Sequence, residues 1–416
     1  MGRSRKLRVS TTATLLDLPP EICATICEDM EQRRDLRALC RISHLFRDQA
    51  RRLLYRKVDL RERDLKALRS WCLAVTRNPQ VAELVRVLSI SLSCDLSLSS
   101  DAAKVARALS SCLNLKELSI YTDKGSNAIT SYTKQSIQGW LLNTCPFRLT
   151  KFSNAYFRST FIAPFWDAQT DLRVLALPSF RDSESFPCYA DQLPNLVALE
   201  VHSVAALPKD RALQRIQFHL YRSSALEELA VLGRYSPTLT TLNVVQSLYV
   251  ETQPTTQAVL EHIVQAVPGL LHLGLTEADS DLKPTVFFTE ATPVHTLAKF
   301  STLQTFVLGS RSIVAFDDTA LGCAYDLQSR DGLSAFGRTI MDACPALRQA
   351  IVGARIYARP GPRSAWALDP RRLDTRSGWD PKIESVCTLT RTAAGEVESE
   401  DGDRFDFQSA SMFWEL

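Results

Sequence analysis

The sequence predicts an α/β solenoid: a curved parallel sheet of short strands joined by helical returns, with three short helices before it and an atypical end after it. Three observations carry this. A phrase of the form L-x-x-L-x-L recurs, starting at positions 85, 115, 149, 172, 196, 213, 239, 270, 303 and 347. Between copies lie stretches whose apolar residues recur every three to four positions, the period of an amphipathic helix. Ahead of the first copy, residues 15–60 are dense in helix-start signals. A globular chain of 416 residues would divide into two or three domains. A solenoid escapes that limit, because each repeat packs only on its neighbours. The expected division is a basic tail over 1–14, a helical module over 15–60, repeats over 61–358 and a C-terminal segment over 359–416.

The first fifteen residues are rich in Arg, Ser and Thr and contain no acid. No apolar run follows that would make a secretory signal. Gly2 suggests N-myristoylation, but Lys6 stands where that signal needs Ser or Thr. A disordered basic tail is the reading. Residues 1–70 carry a net charge of +7 and the rest −4. Most of these arginines alternate with apolar positions at helical spacing, which fits a solvated helix face.

The first helix is expected at about 20–30. Pro19 and Pro20 lack backbone N–H groups and suit a helix start, Asp17 is placed to cap it, and Glu21 sits where the helix dipole favours an acid. Leu18 and Pro19 should form an exposed apolar turn just before it. A second helix, capped by Asp35, carries Leu36, Leu39, Cys40 and Ile42. A third begins near Ser43 with Phe46 and Ala50 on one face. The module closes on Leu53, Leu54, Tyr55, Val58 and Leu60.

In each later phrase the last two apolar residues flank one outward residue, which is strand spacing. The copies at Leu115, Leu172, Leu196, Leu239, Leu270 and Leu303 are clear. Those at Val85, Leu149, Leu213 and Leu347 are weaker. Steps between copies run from 17 to 44 residues, so the arc should be irregular. Return helices are expected at 65–77, 102–112, 133–145, 256–267 and 333–344. Leu226, Leu229 and Val231 also fit the phrase, but they start 13 residues after Leu213, too few for a strand, a return and another strand. Leu226, Leu229 and Leu232 recur every third residue, so 224–233 is expected to be a helix with Gly233 as its cap. Beyond 359 the pattern decays into a Pro-, Gly- and Arg-rich stretch. Residues 396–406 then hold six acids and one base, and Phe405, Phe407, Phe413 and Trp414 follow among polar residues. A capping hairpin, a tail folded over the last repeat and disorder all remain open. The Arg355–376 stretch could pair with the acids.

The phrase is that of a leucine-rich repeat. Residues 16–60, with the Leu-Pro-Pro-Glu-Ile start, the Leu-Cys-x-x-Ser-x-x-Phe-Arg core and the Leu-Tyr-Arg-x-Val-x-Leu end in that order, resemble the F-box. The whole resembles fungal F-box proteins with irregular leucine-rich repeats. The resemblance implies a substrate-recognition subunit of a Skp–cullin–F-box ubiquitin ligase. Leu18, Pro19, Pro20, Ile22, Leu36, Leu39, Cys40, Ile42 and Phe46 would meet a Skp-type adaptor, and through it a cullin. The repeats would hold a protein target on their concave face, through Lys116, Glu117, Arg173, Thr241 and Asn243 among others. The other reading is a repeat scaffold with no ligase.

No phosphate-binding Gly-rich loop, G-x-S-x-G or H-E-x-x-H is present. The eleven cysteines form no C-x-x-C, and none adjoins a histidine. All eleven are expected reduced, without zinc, in a cytoplasmic or nuclear protein. No cofactor, metal or catalysis is expected. His202 and His219 should end neighbouring strands as a solvent-exposed pair. No apolar run reaches the roughly 20 residues that cross a bilayer. Nucleic acid is argued against, because no aromatics for base stacking stand beside the arginines.

Overall fold

The computed structural model describes residues 18–30, 32–61, 63–92, 101–122, 140–143, 145–157, 159–177, 192–220, 225–246, 256–277, 294–310, 330–357 and 381–402. The chain forms two compact units, Met1–Asp171 and Leu172–Leu416.

The first unit opens with three helices: α1 (Pro20–Glu28), α2 (Arg33–Leu39) and α3 (His44–Arg56). Pro20 occupies the first turn of α1, and the Pro19 carbonyl accepts from the Ile22 and Cys23 amides, both at 3.1 Å. Asp17 lies outside the described residues. Gln32, not Asp35, precedes α2, and Asp35 sits inside its first turn. An acid there still meets the positive end of the dipole, so the sequence signal was sound but the boundary was shifted. Ser43 caps α3 as expected, its hydroxyl accepting from the Phe46 amide at 3.3 Å. Cys23, Cys27, Leu36, Phe46 and Ala50 close into a small core, with Leu18, Ile26, Met30, Leu39, Cys40, Leu53 and Leu54 packed against it.

The helical module ends earlier than Leu60. From Arg56 the chain passes directly into strand β1 (Lys57–Leu60), which pairs in parallel with β2 (Val87–Leu92). Val58 stands beside Leu88 and Leu60 beside Ile90. The residues taken as the end of the module are thus a first copy of the repeat phrase, Tyr55-x-x-Val58-x-Leu60. β3 (Glu117–Thr122) and β4 (Lys151–Asn154) continue the parallel ladder. Helices Leu65–Arg77 and Asp101–Ser111 return the chain between strands. Of the helix expected at 133–145, Trp140–Asn143 is described.

β4 ends in a polar closure. Asn154 takes an apolar position of the phrase yet is buried. Its carboxamide accepts from the Tyr156 and Phe157 amides at 3.2 and 2.8 Å and donates to the Phe157 carbonyl at 2.8 Å. These bonds replace water and turn the chain out of the strand. Gln169, fully buried, accepts from the Leu149 amide at 2.8 Å and donates to the Phe147 carbonyl at 3.2 Å, fixing the approach to β4.

The second unit holds β5 (Val174–Leu177), β6 (Ala198–Val201), β7 (Arg215–Leu220), β8 (Thr241–Gln246), β9 (His272–Glu277), β10 (Thr305–Ser310) and β11 (Gln349–Tyr357), parallel and in chain order. Leu175, Leu199, Ile216, Leu242, Leu273, Phe306 and Ala350 stand in one register row, and all are buried. The row two residues on, from Leu177 to Val352, is buried as well. Each of the ten phrases starts two residues before its strand, and its first residue is buried at the turn into it. Burying one such side chain is worth about 1.5–3 kcal/mol, and the two rows form the sheet side of the core.

Residues 226–231 are not a strand. A short helix, Ala225–Glu228, runs into a 3₁₀ segment, Leu229–Tyr235. Leu229 and Leu232 are buried, Leu226 is half-buried, and Glu227 and Arg234 are exposed. Gly233 lies inside the 3₁₀ segment and does not cap it, because the turn tightens and continues to Tyr235, whose hydroxyl donates to the Pro208 carbonyl. Helices Thr256–Ala266 and Arg330–Ala343 match the expected returns.

The end is a hairpin. β12 (Pro381–Arg391) pairs antiparallel with β11, and β13 (Val397–Gly402) antiparallel with β12. Gly395, at φ +86°, makes the turn. Helix Arg330–Ala343 packs closely on β12: a Cβ on Gly337 would run into Leu389 Cδ1. The stretch 359–380 and the aromatic end 405–414 lie outside the described residues.

Candidate functional site

The helical module separates its nine singled-out residues into three groups. Leu36 and Phe46 are core, 6% and 1% exposed, and support the surface from beneath. They are therefore no part of a contact face. Leu18, Leu39 and Cys40 are half-buried against that core. Pro19, Pro20, Ile22 and Ile42 are exposed, with Ile22 and Ile42 both at 46%. Leu45, at 38%, joins them and was not singled out. Seven large apolar side chains are exposed among the described residues, and Ile22, Ile42 and Leu45 are three of them. Helical periodicity assigned Leu36 and Phe46 to an apolar face but could not say whether that face meets a partner or the neighbouring helices.

The residues expected on the concave face divide similarly. Lys116 and Arg173 are exposed and Glu117 is half-buried. Thr241 and Asn243, expected on an open surface, are each only 4% exposed. Their side chains are short, and longer neighbours flank them in the register: Arg215 and His272 beside Thr241, and Gln217 beside Asn243. Asn243 Nδ2 donates to Gln217 Oε1 at 3.2 Å, while its own Oδ1 is buried without a partner.

Basic and imidazole groups concentrate on this face of the second unit. Burial, and then the charge of Arg173, lower the Arg215 pKa. Burial and Arg215 do the same to His272. His202 and His219 are not the exposed pair expected from their strand ends. They are half-buried and stacked, ring centroids 6.0 Å apart and planes 22° from parallel. Burial, with a smaller effect of His202, brings the His219 pKa down to about 4, so that ring is neutral at physiological pH.

In the first unit Asp101, 2% exposed, accepts from Arg69 Nε and Nη2 at 3.0 and 2.6 Å and from Lys104 Nζ at 3.0 Å. These bonds tie helix Leu65–Arg77 to helix Asp101–Ser111 and hold the Asp101 pKa down to about 2. The eight cysteines among the described residues are free thiols. Burial pushes the thiols of Cys72, Cys112 and Cys145 up to about 12 and that of Cys344 to about 11, which suppresses the reactive thiolate. Among the described residues no group of three or more His, Cys, Asp or Glu side chains is arranged to hold a metal ion. None of the helices there is long and apolar enough to cross a membrane.

No family model matches the chain, and no curated protein matches it. Among solved structures it is similar to the leucine-rich repeat-containing protein LegL7 from Legionella pneumophila. The identity is 15%, the match covers 72% of this chain and 90% of that one, and the TM-score is 0.40.

Proposed function

We propose that this chain is the substrate-recognition subunit of a Skp–cullin–F-box ubiquitin ligase, acting in the cytoplasm or nucleus. The observation that carries the reading is the module of α1 to α3: a closed core beneath an exposed Pro19-Pro20 start, Ile22, Ile42 and Leu45. Apolar side chains left outside a completed core are suited to a partner. That partner is a Skp-type adaptor, which links to a cullin. The repeats present a protein target, and their part is positional: strands tied to one another by continuous ladders hold the target at a fixed place while other subunits carry the chemistry. The chain itself performs no catalysis and takes no cofactor.

The test is binding of the full chain to a purified Skp-type adaptor by biolayer interferometry, with Ile22→Asp/Ile42→Asp as the variant. Both side chains are half-exposed, so the variant keeps its fold. Losing two partly buried apolar contacts costs about 2 kcal/mol, or roughly thirtyfold in affinity. An adaptor that does not bind the unaltered chain would leave the non-ligase scaffold as the function. Equal binding by the variant would move the docking face elsewhere.

A further inference from the structure

The outer face of the sheet in the second unit, opposite the leucine rows, carries a polar site centred on Asn243. Leu242 and Val244 are fully buried toward the core, so Asn243 between them points the other way. The register gathers its neighbours. Glu200 on β6, Gln217 on β7, Asn243 on β8 and Gly274 on β9 stand in one row. In the row two residues earlier, Arg215 and His272 stand on either side of Thr241. Arg173, exposed, lies just before β5. Beyond Gly274 the first row turns apolar, through Val307 and Ile351, which pack with Val386 into a separate buried cluster.

Asn243 is 4% exposed. One end of its carboxamide is satisfied, Nδ2 donating to Gln217 Oε1 at 3.2 Å. The other end, Oδ1, is buried and accepts from nothing. Buried acceptors are nearly always met, and broken rules of this kind concentrate at functional sites. On the β9 side Gly274 sets no side chain beside Asn243. The charge nearby is positive. Burial and then Arg173 lower the Arg215 pKa, and burial and Arg215 lower that of His272, which leaves the imidazole neutral at physiological pH. Two guanidinium groups that act on each other gain from an anion placed between them. Two arginines less Glu200 leave this group at +1, a balance that suits a carboxylate better than a doubly charged phosphate.

We propose that this site binds an extended segment of a protein target, Asn243 Oδ1 accepting a backbone N–H and Arg173 and Arg215 holding an aspartate or glutamate side chain, an assignment that rests on the repeats presenting a protein target. The spacing agrees. Arg215 and Asn243 are one strand apart and two residues apart along the strand, about 8 Å between Cα atoms. An extended segment returns to the same side every second residue, about 6.7 Å on, and a long arginine side chain spans the difference.

The test is an array of short degenerate peptides, one position fixed as Asp, Glu, phosphoserine, Gln or Lys, probed with the full chain. The unaltered chain should favour Asp and Glu over Gln by about tenfold, as a charge-assisted contact does. Arg173→Glu, at an exposed position that leaves the fold intact, should turn the preference toward Lys, and Arg173→Lys should keep it. Asn243→Leu, its fold checked by circular dichroism, should weaken all peptides about fivefold without changing the preferred residue, as loss of one hydrogen bond does. Absence of an acidic preference would overturn the proposal, as would phosphoserine favoured over Glu, a preference untouched by Arg173→Glu, or full binding by Asn243→Leu. An acidic preference in a chain that binds no adaptor would remove the ligase and keep this site, whereas adaptor binding without that preference would do the reverse.

Discussion

Asp101→Ala tests whether a single buried carboxylate holds two return helices of the first unit together. The carboxylate is 2% exposed and accepts three bonds from Arg69 and Lys104. A hydrogen bond to a charged group is worth about 1.5–3 kcal/mol when one partner is removed. The simple sum is too large here, because the Arg69 and Lys104 side chains are 53% and 54% exposed and regain water when Asp101 is gone. The expected loss is about 2 kcal/mol. Native-state hydrogen exchange should show it as a roughly thirtyfold fall in protection of helices Leu65–Arg77 and Asp101–Ser111 at neutral pH. The pH dependence has a definite sign. The folded pKa, about 2, is below the ordinary 3.8, so this stabilisation is fully present above about pH 4 and fades as pH falls toward 2. The difference between the two proteins should therefore shrink across that window in thermal melts followed by circular dichroism. Unchanged protection at neutral pH, or a difference that persists undiminished at pH 2, would refute the account.

Two further outcomes are expected. Ser43→Ala removes the hydroxyl that accepts from the Phe46 amide, and should cost the helical module about 1 kcal/mol; it should be read as faster exchange in α3 with β6 to β9 unaffected. Leu199→Asp places a charge in the fully buried row of the second unit, between Leu175 and Ile216 in the register. The ladder from β5 to β7 should unfold, seen as loss of protection there by exchange and as poor soluble yield.

Much of the fold was legible because the repeat phrase is local. Leu115, Leu118 and Ile120 place β3 without reference to any other residue, and the same holds for the weak copies at Leu149 and Leu347, whose strands start two residues later like the rest. The helical returns expected at 65–77, 102–112, 256–267 and 333–344 were legible for the same reason. Rejecting 226–231 as a strand needed only a count of residues. The first strand was missed because Arg56 and Lys57 join helix to strand without a break, and the apolar residues of both read as one module. The Asp101 clip was invisible, since Arg69 lies 32 residues away and nothing in either local sequence marks the pair.

The candidate surfaces were only half legible. The start of α1 was placed in the open, which holds for Pro19 and Pro20, whereas Leu18 is half-buried against the module's core. Leu36 and Phe46 went inside because two neighbouring helices closed over them, an outcome that no single helix records. The sequence by itself determined which residues alternate toward the helices along each strand, since that follows from a backbone period of two. It also determined where the ten strands from β2 to β11 begin. Only the tertiary structure decided what the other face meets: Thr241 and Asn243 shaded by Arg215, Gln217 and His272 across the ladder, His202 stacked on His219, and Val307, Ile351 and Val386 joined from three strands into one cluster. The physical reason is range. Alternation is set by the geometry of consecutive residues, whereas exposure depends on side chains that the fold brings together from strands tens of residues apart.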